Sequence, residues 1–251
     1  MLRRFIRLNR RASSAIERHL PQRRTDISLL YELTVAECMR TLPCGAIVVD
    51  AGAGPRCSFY EYKPAGLTIV GVDASENDLR ANREIDSYRV ADITRRLPFD
   101  DCTVDIVASK HVLEHLPDVG RFVAETRRVL KPGGTTIHLL PLRYAPFALL
   151  SRLAPDRVKL RLLHRLHPET EGSHRFHTHY DRCAPSALVS LLRRNGFVVE
   201  SAPVSYYQSH YFGFFVPLYV ASATYELVLF GLKAKELAAS LLVVARKTPG
   251  R

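Results

Sequence analysis

Val48-Val49-Asp50-Ala51-Gly52-Ala53-Gly54 is the stretch whose reading decides the fold. The four residues before Asp50 read as a short buried strand, and two glycines follow within a tight turn. A backbone without Cβ bends sharply and lets a ligand lie against its amides. A helix starting just beyond would add the positive end of its dipole to that cradle. Ordinary turns share this Gly-x-Gly pattern, so the strands and acids downstream of Gly54 must decide between the two.

The next strand, Leu67-Thr68-Ile69-Val70-Gly71-Val72-Asp73, ends in an acid 19 residues past Gly54. A carboxylate at the tip of a neighbouring parallel strand can accept hydrogen bonds from both hydroxyls of a ribose. The dehydrogenase version of this layout wants a third glycine where Cys57 stands, and Pro55-Arg56 is unusual for it. Asp92 ends another run, Tyr88-Arg89-Val90-Ala91-Asp92, with Leu97-Pro98-Phe99-Asp100-Asp101 shortly after it. Then come Val104-Asp105-Ile106-Val107-Ala108-Ser109, His111-Val112-Leu113-Glu114-His115-Leu116 and Val129-Leu130-Lys131-Pro132-Gly133-Gly134.

Taken in order, the series from Asp50 to Gly134 resembles the class I S-adenosylmethionine-dependent methyltransferases, in their branch of small-molecule enzymes. The resemblance implies an α/β, Rossmann-like fold: a seven-stranded, mostly parallel sheet with helices on both faces, an antiparallel last strand and helical insertions. S-adenosylmethionine is the cofactor it implies. Asp50, Ala51, Gly52, Ala53 and Gly54 would form the turn against it, and Asp73 with Ala74 would take the ribose. Asp92 would meet the adenine with Ile93 packed nearby, while Ser109 and His111 would reach over the methionine half. Asp50, Asp73, Asp92 and Ser109 all fall at strand ends, which puts them on one rim. Asp105, at the start of its strand, reads as a strand-edge acid away from that rim.

Catalytic groups are harder to mark. Methyl transfer draws most of its acceleration from aligning nucleophile, methyl carbon and sulfur, so it can be spread over residues that no motif flags. His115 is the candidate general base, which must reach the acceptor hydroxyl directly or through one water; a satisfied structural histidine is the alternative. No Asn/Asp-Pro-Pro-Tyr run stands after the fourth strand, which disfavours methylation of the amino groups of bases and leaves oxygen or carbon acceptors.

The chain holds 251 residues, enough for one such domain with a sizeable core and added elements. Five scattered cysteines, without a Cys-x-x-Cys pair, suit reduced thiols in a cytoplasmic setting. No apolar signal-peptide core is evident near residue 1. Residues 26–44 read as one helix with Leu29, Leu30, Leu33, Cys38 and Met39 near helical spacing. The expected organisation is a basic arm over 1–25 and a methyltransferase domain over 26–251. Two insertions interrupt that domain, an acceptor lid at about 142–184 and an aromatic element at 206–237. The lid contains His177, His179 and Tyr180 as candidate substrate contacts. A metal reading of its histidines lacks a cysteine or matched acid motif, and no metal is expected.

Net charge is +11, of which eight arginines against Glu17 place +7 in residues 1–24. With Leu2, Phe5, Ile6 and Leu8 this arm reads as an amphipathic helix for an anionic membrane surface, or else as a solvated arm. Residues 206–230 carry nine of the 22 aromatics, too many for a plain hairpin. Glu226 and Pro217 interrupt the run, and a span would separate two strands that must pair, so a transmembrane helix is excluded. A pair of helices at a membrane interface is expected instead, with a homodimer contact or a cover for the sheet as alternatives. The functional expectation is O-methylation of a glycolipid, a lipid-linked saccharide or another amphipathic small molecule, peripheral to the inner face of a membrane. RNA methylation or binding, prompted only by charge, lacks an RNA-reading module. A non-catalytic scaffold that binds the cofactor conflicts with the intact acids at 50, 73 and 92.

Overall fold

The computed structural model describes residues 2–20, 27–153 and 178–249. Along the chain the elements are α1 (Leu2–Glu17), α2 (Ile27–Arg40), β1 (Ile47–Ala51), β2 (Thr68–Asp73), α3 (Glu76–Ala81), β3 (Ser87–Val90), β4 (Val104–Lys110), α4 (Val119–Val129) and β5 (Leu130–Pro141). They continue with α5 (Pro146–Leu153), α6 (Pro185–Arg194), β6 (Phe197–Ser201), β7 (Val204–Ser205), α7 (Val216–Leu232) and β8 (Ser240–Lys247). Two compact units result. Among the described residues, one gathers 2–20, 141–153 and 204–240; the other holds 27–140, 178–203 and 241–249.

The second unit is a sheet in the order β3-β2-β1-β4-β5-β8-β6. β1 to β5 pair in parallel, and β8 runs antiparallel to β6 with Val198 opposite Arg246. The chain winds outward from β1 through β2 to β3, then returns to place β4 on the other side of β1. That reversal opens a crevice at the carboxyl ends of β1 and β4. Register aligns the rim: Asp50 lies opposite Gly71 and Ala108, and Asp73 opposite Val90.

Apolar side chains of the inner strands supply the core, with Val48, Ile69, Ile106, Ile137, Leu139, Leu242 and Val244 packed under α2. α2 turns Tyr31, Val35, Ala36 and Met39 inward and leaves Leu29 and Leu33 exposed, contrary to the stripe read from the leucines. Aromatic packing decides this rotation: the Tyr31 ring meets Phe59 edge-on at 6.2 Å. Ser75 caps α3 by accepting from Asp78 N, and Asp118 caps α4 by accepting from Arg121 N.

One strand boundary differs from the sequence expectation. β3 stops at Val90, so Asp92 lies in the turn beyond it. β5 begins at Leu130, directly after α4, and Lys131-Pro132-Gly133-Gly134 lies within the strand. A register shift between Val104 and Ile106 accommodates the irregularity. Gly133 adopts φ +79°, and a Cβ on Gly134 would approach Asp105 O and Lys131 O to 3.0 Å. At the opposite end of these strands from the crevice, the Asp105 carboxylate accepts from Ile47 N at 2.9 Å and from Lys131 Nζ at 2.8 Å.

In the first unit, α1 runs along the segment leading into α7. Ser13 Oγ donates to Gly213 O, Val216 N donates to Asn9 Oδ1, and Tyr207 Oη donates to Glu17 Oε1 at 2.6 Å. The aromatic insertion is a 3-10 turn (Ser209–Phe212) joined to the single helix α7, where a pair of helices was expected. Glu226 explains how this helix tolerates an acid. Its carboxylate is buried and accepts from Gln208 N, Ser209 N and Ser209 Oγ, so the charge faces inward. The outward side of α7 presents Leu218, Val220, Leu227, Val228, Phe230 and Leu232. Among the described residues, no helix is long and apolar enough to cross a membrane.

Candidate functional site

The glycine turn is held by the acid of the next strand. Asp73 Oδ2 accepts from Gly54 N at 3.0 Å and Oδ1 from Ser75 N at 2.9 Å, tying the ends of β1 and β2 together. Gly52 sits at φ +75°, where a Cβ would come within 2.4 Å of Val112 Cγ2. Gly54, at φ +49°, would carry its Cβ into space with no atom within 4 Å. The turn therefore packs tightly on one side and opens beside Asp73 on the other. Asn82 and Glu84 brace it from outside: Asn82 Nδ2 donates to Gly54 O at 3.0 Å, and Glu84 Oε2 accepts from Cys57 N at 2.9 Å. Sequence reasoning missed this pair, because neither sits in a motif and only the fold brings them back to residue 54.

Asp50 lies beneath the turn and is buried. Burial raises its carboxyl from 3.8 to about 7, the Cys57 thiol donating to it opposes that, nearby Asp73 adds to the rise, and Lys110 opposes it. Tyr31 approaches from α2, fully buried with no hydrogen-bond partner on Oη; burial, with Asp50 second, raises its phenol well above the usual range. Lys110 pairs with Glu32 at 2.9 Å. Ala51 and Ala53 are buried, and Ala74 is exposed past the end of β2.

Ser109 departs from its expected role. Its side chain is fully buried, and its hydroxyl meets His138 Nδ1 at 2.7 Å beneath the rim. Thr136 Oγ1 donates to Val107 O, so the 2.6 Å contact from His138 Nε2 makes that nitrogen the protonated one. Ser109 then donates to Nδ1. Burial pushes His138 down to about 3, and the trio is a neutral brace inside the sheet. The hydroxyl of Ser109 therefore does not reach over a cofactor. Asp92 is half-exposed in its turn, with Oδ1 accepting from Thr94 N and Oγ1. The Thr94 hydroxyl is the main reason its carboxyl titrates below the usual value. Ile93 beside it is buried.

Beyond β4 the chain turns through His111 into a 3-10 turn at Leu113–His115. His111 adopts φ +57°, a left-handed conformation that costs a non-glycine residue about 1–2 kcal/mol. The turn sets three titratable side chains together. Glu114 Oε1 lies 3.9 Å from His111 Nδ1 and 3.8 Å from His115 Nε2. Side-chain exposure is 5% for Glu114, 30% for His115 and 49% for His111. Burial raises Glu114 from 4.5 to about 8. Surrounding protein, Lys110 and His115 push His111 toward 4. The main-chain oxygen of Glu114 accepts from His179 N at 2.8 Å and Tyr180 N at 3.0 Å, which brings those residues to the same turn. His177 lies outside the described residues. Among the described residues, no group of three or more His, Cys, Asp or Glu side chains is arranged to hold a metal ion.

These residues fit an adenosyl sulfonium. The open side of the Gly54 turn offers backbone beside the Asp73 carboxyl, Asp50 lies buried beneath it, and a buried phenol awaits a partner. Comparison with known proteins agrees. Residues 49–138 match the family described as a methyltransferase domain. An uncharacterized methyltransferase of Mycobacterium sp. (strain KMS) is 32% identical over 109 residues, which cover 43% of this chain and 43% of that protein. The chain thus spans less than half the length of the curated relative it matches. An S-adenosylmethionine-dependent methyltransferase from Mesorhizobium loti shares the fold with a TM-score of 0.50 at 22% identity, over 86% of this chain and 98% of that one. Geranyl diphosphate methyltransferase in complex with GPP and sinefungin shares it with a TM-score of 0.55 at 14% identity, over 86% and 76%. Through residues 49–138, with the glycine turn and the acids that follow it, the chain is similar to the class I S-adenosylmethionine-dependent methyltransferases.

Proposed function

We propose that this chain transfers a methyl group from S-adenosylmethionine to a hydroxyl of an amphipathic small molecule such as a glycolipid or a lipid-linked saccharide. The observation that carries the transfer is the glycine turn pinned to Asp73 at 3.0 Å with open space beside Gly54. Asp50, Ala51, Gly52, Ala53 and Gly54 would line one side of the cofactor, Asp73 with Ala74 the ribose, and Asp92 with Ile93 the adenine. The cofactor supplies an electrophilic methyl, already activated by the sulfonium charge. What the protein must add is alignment, exclusion of water and a destination for the acceptor's proton. His115, expected as the base, shares its turn with the more exposed His111, and the proton is taken within this pair. His179 and Tyr180, joined to Glu114 through their amides, are the proposed acceptor contacts of the second segment.

Features of the first unit support the acceptor class. α1 is basic, with its acid Glu17 bonded to Tyr207, and Phe5 and Leu8 are exposed on it. α7 has an uncharged apolar side, because Glu226 faces inward. A basic helix with exposed apolar groups beside an uncharged apolar one suits the headgroup region of an anionic bilayer, peripheral to its inner face. The structural neighbour named for geranyl diphosphate lends support to an acceptor that joins an apolar chain to an anionic head.

Calorimetry with S-adenosylmethionine and S-adenosylhomocysteine tests the transfer; absence of binding by either ends this reading. Tritiated methyl incorporation into lipid and polar extracts then identifies the acceptor. Flotation with phosphatidylglycerol-containing liposomes tests the surface, and size-exclusion chromatography asks whether a second copy covers it instead.

A further inference from the structure

We propose that Glu114 is a positioning residue that offers Oε1 to both His111 and His115, so that His111 holds its own proton on Nδ1 and keeps Nε2 bare for the hydroxyl proton of the methyl acceptor. The acceptor part of this inference rests on the proposed methyl transfer; the arrangement of the three side chains does not.

Three features of the turn point there. First, the acid is far more buried than its partners. A 5% exposed carboxyl stands between two imidazoles that reach water, an order opposite to that of a surface ion pair. Second, Glu114 Oε2 is buried and has no hydrogen-bond partner, a penalty that packing alone does not require. Third, the backbone is forced into place on both sides of the acid. His111 accepts a left-handed conformation while its N donates to Leu139 O, and Glu114 O holds His179 N and Tyr180 N. Strain of this kind persists where surrounding structure fixes it, and it gathers at functional sites.

The separations of 3.8 and 3.9 Å exceed a hydrogen bond, as catalytic contacts often do before ligands bind. Closing either by about 1 Å makes Oε1 an acceptor for an imidazole N–H. An imidazole that donates through Nδ1 is left with Nε2 as its base nitrogen. The proton step is then simple. The O–H bond of the acceptor breaks, its electron pair stays on oxygen, and the proton arrives on Nε2. Little basicity is needed, because a hydroxyl oxygen gaining a methyl group becomes a strong acid; a ring pushed toward 4 still takes its proton. The titratable groups beside Glu114 are the imidazoles of His111 and His115, with His179 and Tyr180 on the segment bound to its main chain; Lys110, paired with Glu32, acts on His111. Burial is the main cause of its high pKa, so the carboxyl passes from neutral to ionised near pH 8.

Nitrogen-15 shifts of the histidine rings in the full chain, recorded between pH 5 and 10 with and without S-adenosylhomocysteine, test this without an acceptor. The His111 signal is assigned by its loss in His111→Gln. The wild-type ring is expected in the Nδ1–H form. Glu114→Leu should convert it to the Nε2–H form common for a solvated histidine. Glu114→Gln, which keeps an acceptor oxygen, should retain the Nδ1–H form but lose the inflection near pH 8 from the His111 and His115 shifts. A wild-type ring in the Nε2–H form, or a tautomer unmoved in Glu114→Leu, overturns the proposal. Should Glu114→Leu not fold, the wild-type spectrum alone decides. Cofactor affinity measured on the same samples stands apart: its loss would sink methyl transfer and leave the tautomer result in place.

Discussion

Asp73 does two jobs with one carboxylate, and they can be separated. Its oxygens accept from Gly54 N and Ser75 N, yet each still has a lone pair for a ribose hydroxyl. Replacing it by Ala removes charge-assisted bonds worth about 1.5–3 kcal/mol. Affinity for S-adenosylhomocysteine should fall about 10- to 100-fold by calorimetry. An unchanged affinity would place the nucleoside elsewhere. The two glycines divide in the same way. Gly52→Ala meets both a left-handed φ and Val112 at 2.4 Å, so urea unfolding should show a loss of more than about 2 kcal/mol. Gly54→Ala meets no atom, so its cost to folding should be about 1 kcal/mol while cofactor binding weakens. At this scale the acids at strand ends were legible, because a parallel sheet brings those ends to one rim. The inward turn of Ser109 toward His138 was not. Period-two alternation was masked in a strand buried on both faces, and His138 is 29 residues away.

Among elements, α1 and α7 carry the consequences. The basic amphipathic pattern of the arm was legible locally, and α1 obeys it over Leu2–Glu17. The pairing of α1 with the run before α7 depended on contacts 190 to 207 residues apart, Glu17 with Tyr207 and Asn9 with Val216, which no local pattern announces. Glu226 interrupts the apolar run along the sequence; its burial leaves that run uninterrupted where it faces out. Val228→Asp on the exposed side of α7 should leave the melting temperature within about 2 °C, because surface changes cost within about 0.5 kcal/mol. The same change should abolish flotation with anionic liposomes. Exchanging Arg7 and Arg11 for Glu should weaken flotation in a salt-dependent way, near 1 kcal/mol for each charge removed. Flotation that survives both would remove α1 and α7 as the contact with the bilayer.

For the molecule as a whole, buried titratable groups bound the pH range of stability. Asp50 rises from 3.8 to about 7 and Glu114 from 4.5 to about 8 on folding, so both bind a proton more tightly when folded. Their stabilising effect is complete below about pH 4 and is lost progressively as pH climbs from there through 7 and 8. His138 falls from 6.5 to about 3, so the unfolded chain takes up a proton first, and stability drops as pH falls below 6.5. Thermal unfolding should therefore show a maximum at about pH 4 to 5, with losses on the order of a few kcal/mol toward either side. Asp50→Asn should flatten the alkaline limb, and His138→Asn the acid limb. A profile that rises steadily from pH 6 to 9 would show that the two carboxyls are ionised in the folded protein.

The place of β8 between β5 and β6 has a temporal side. During synthesis the strand that fills this gap is made after both of its neighbours, so each must wait with an unsatisfied flank while the aromatic-rich stretch before Ser240 emerges. A nascent or clipped polypeptide halted ahead of that strand would expose two adhesive borders at once, which makes it a natural client for chaperones and a seed for intermolecular sheet growth.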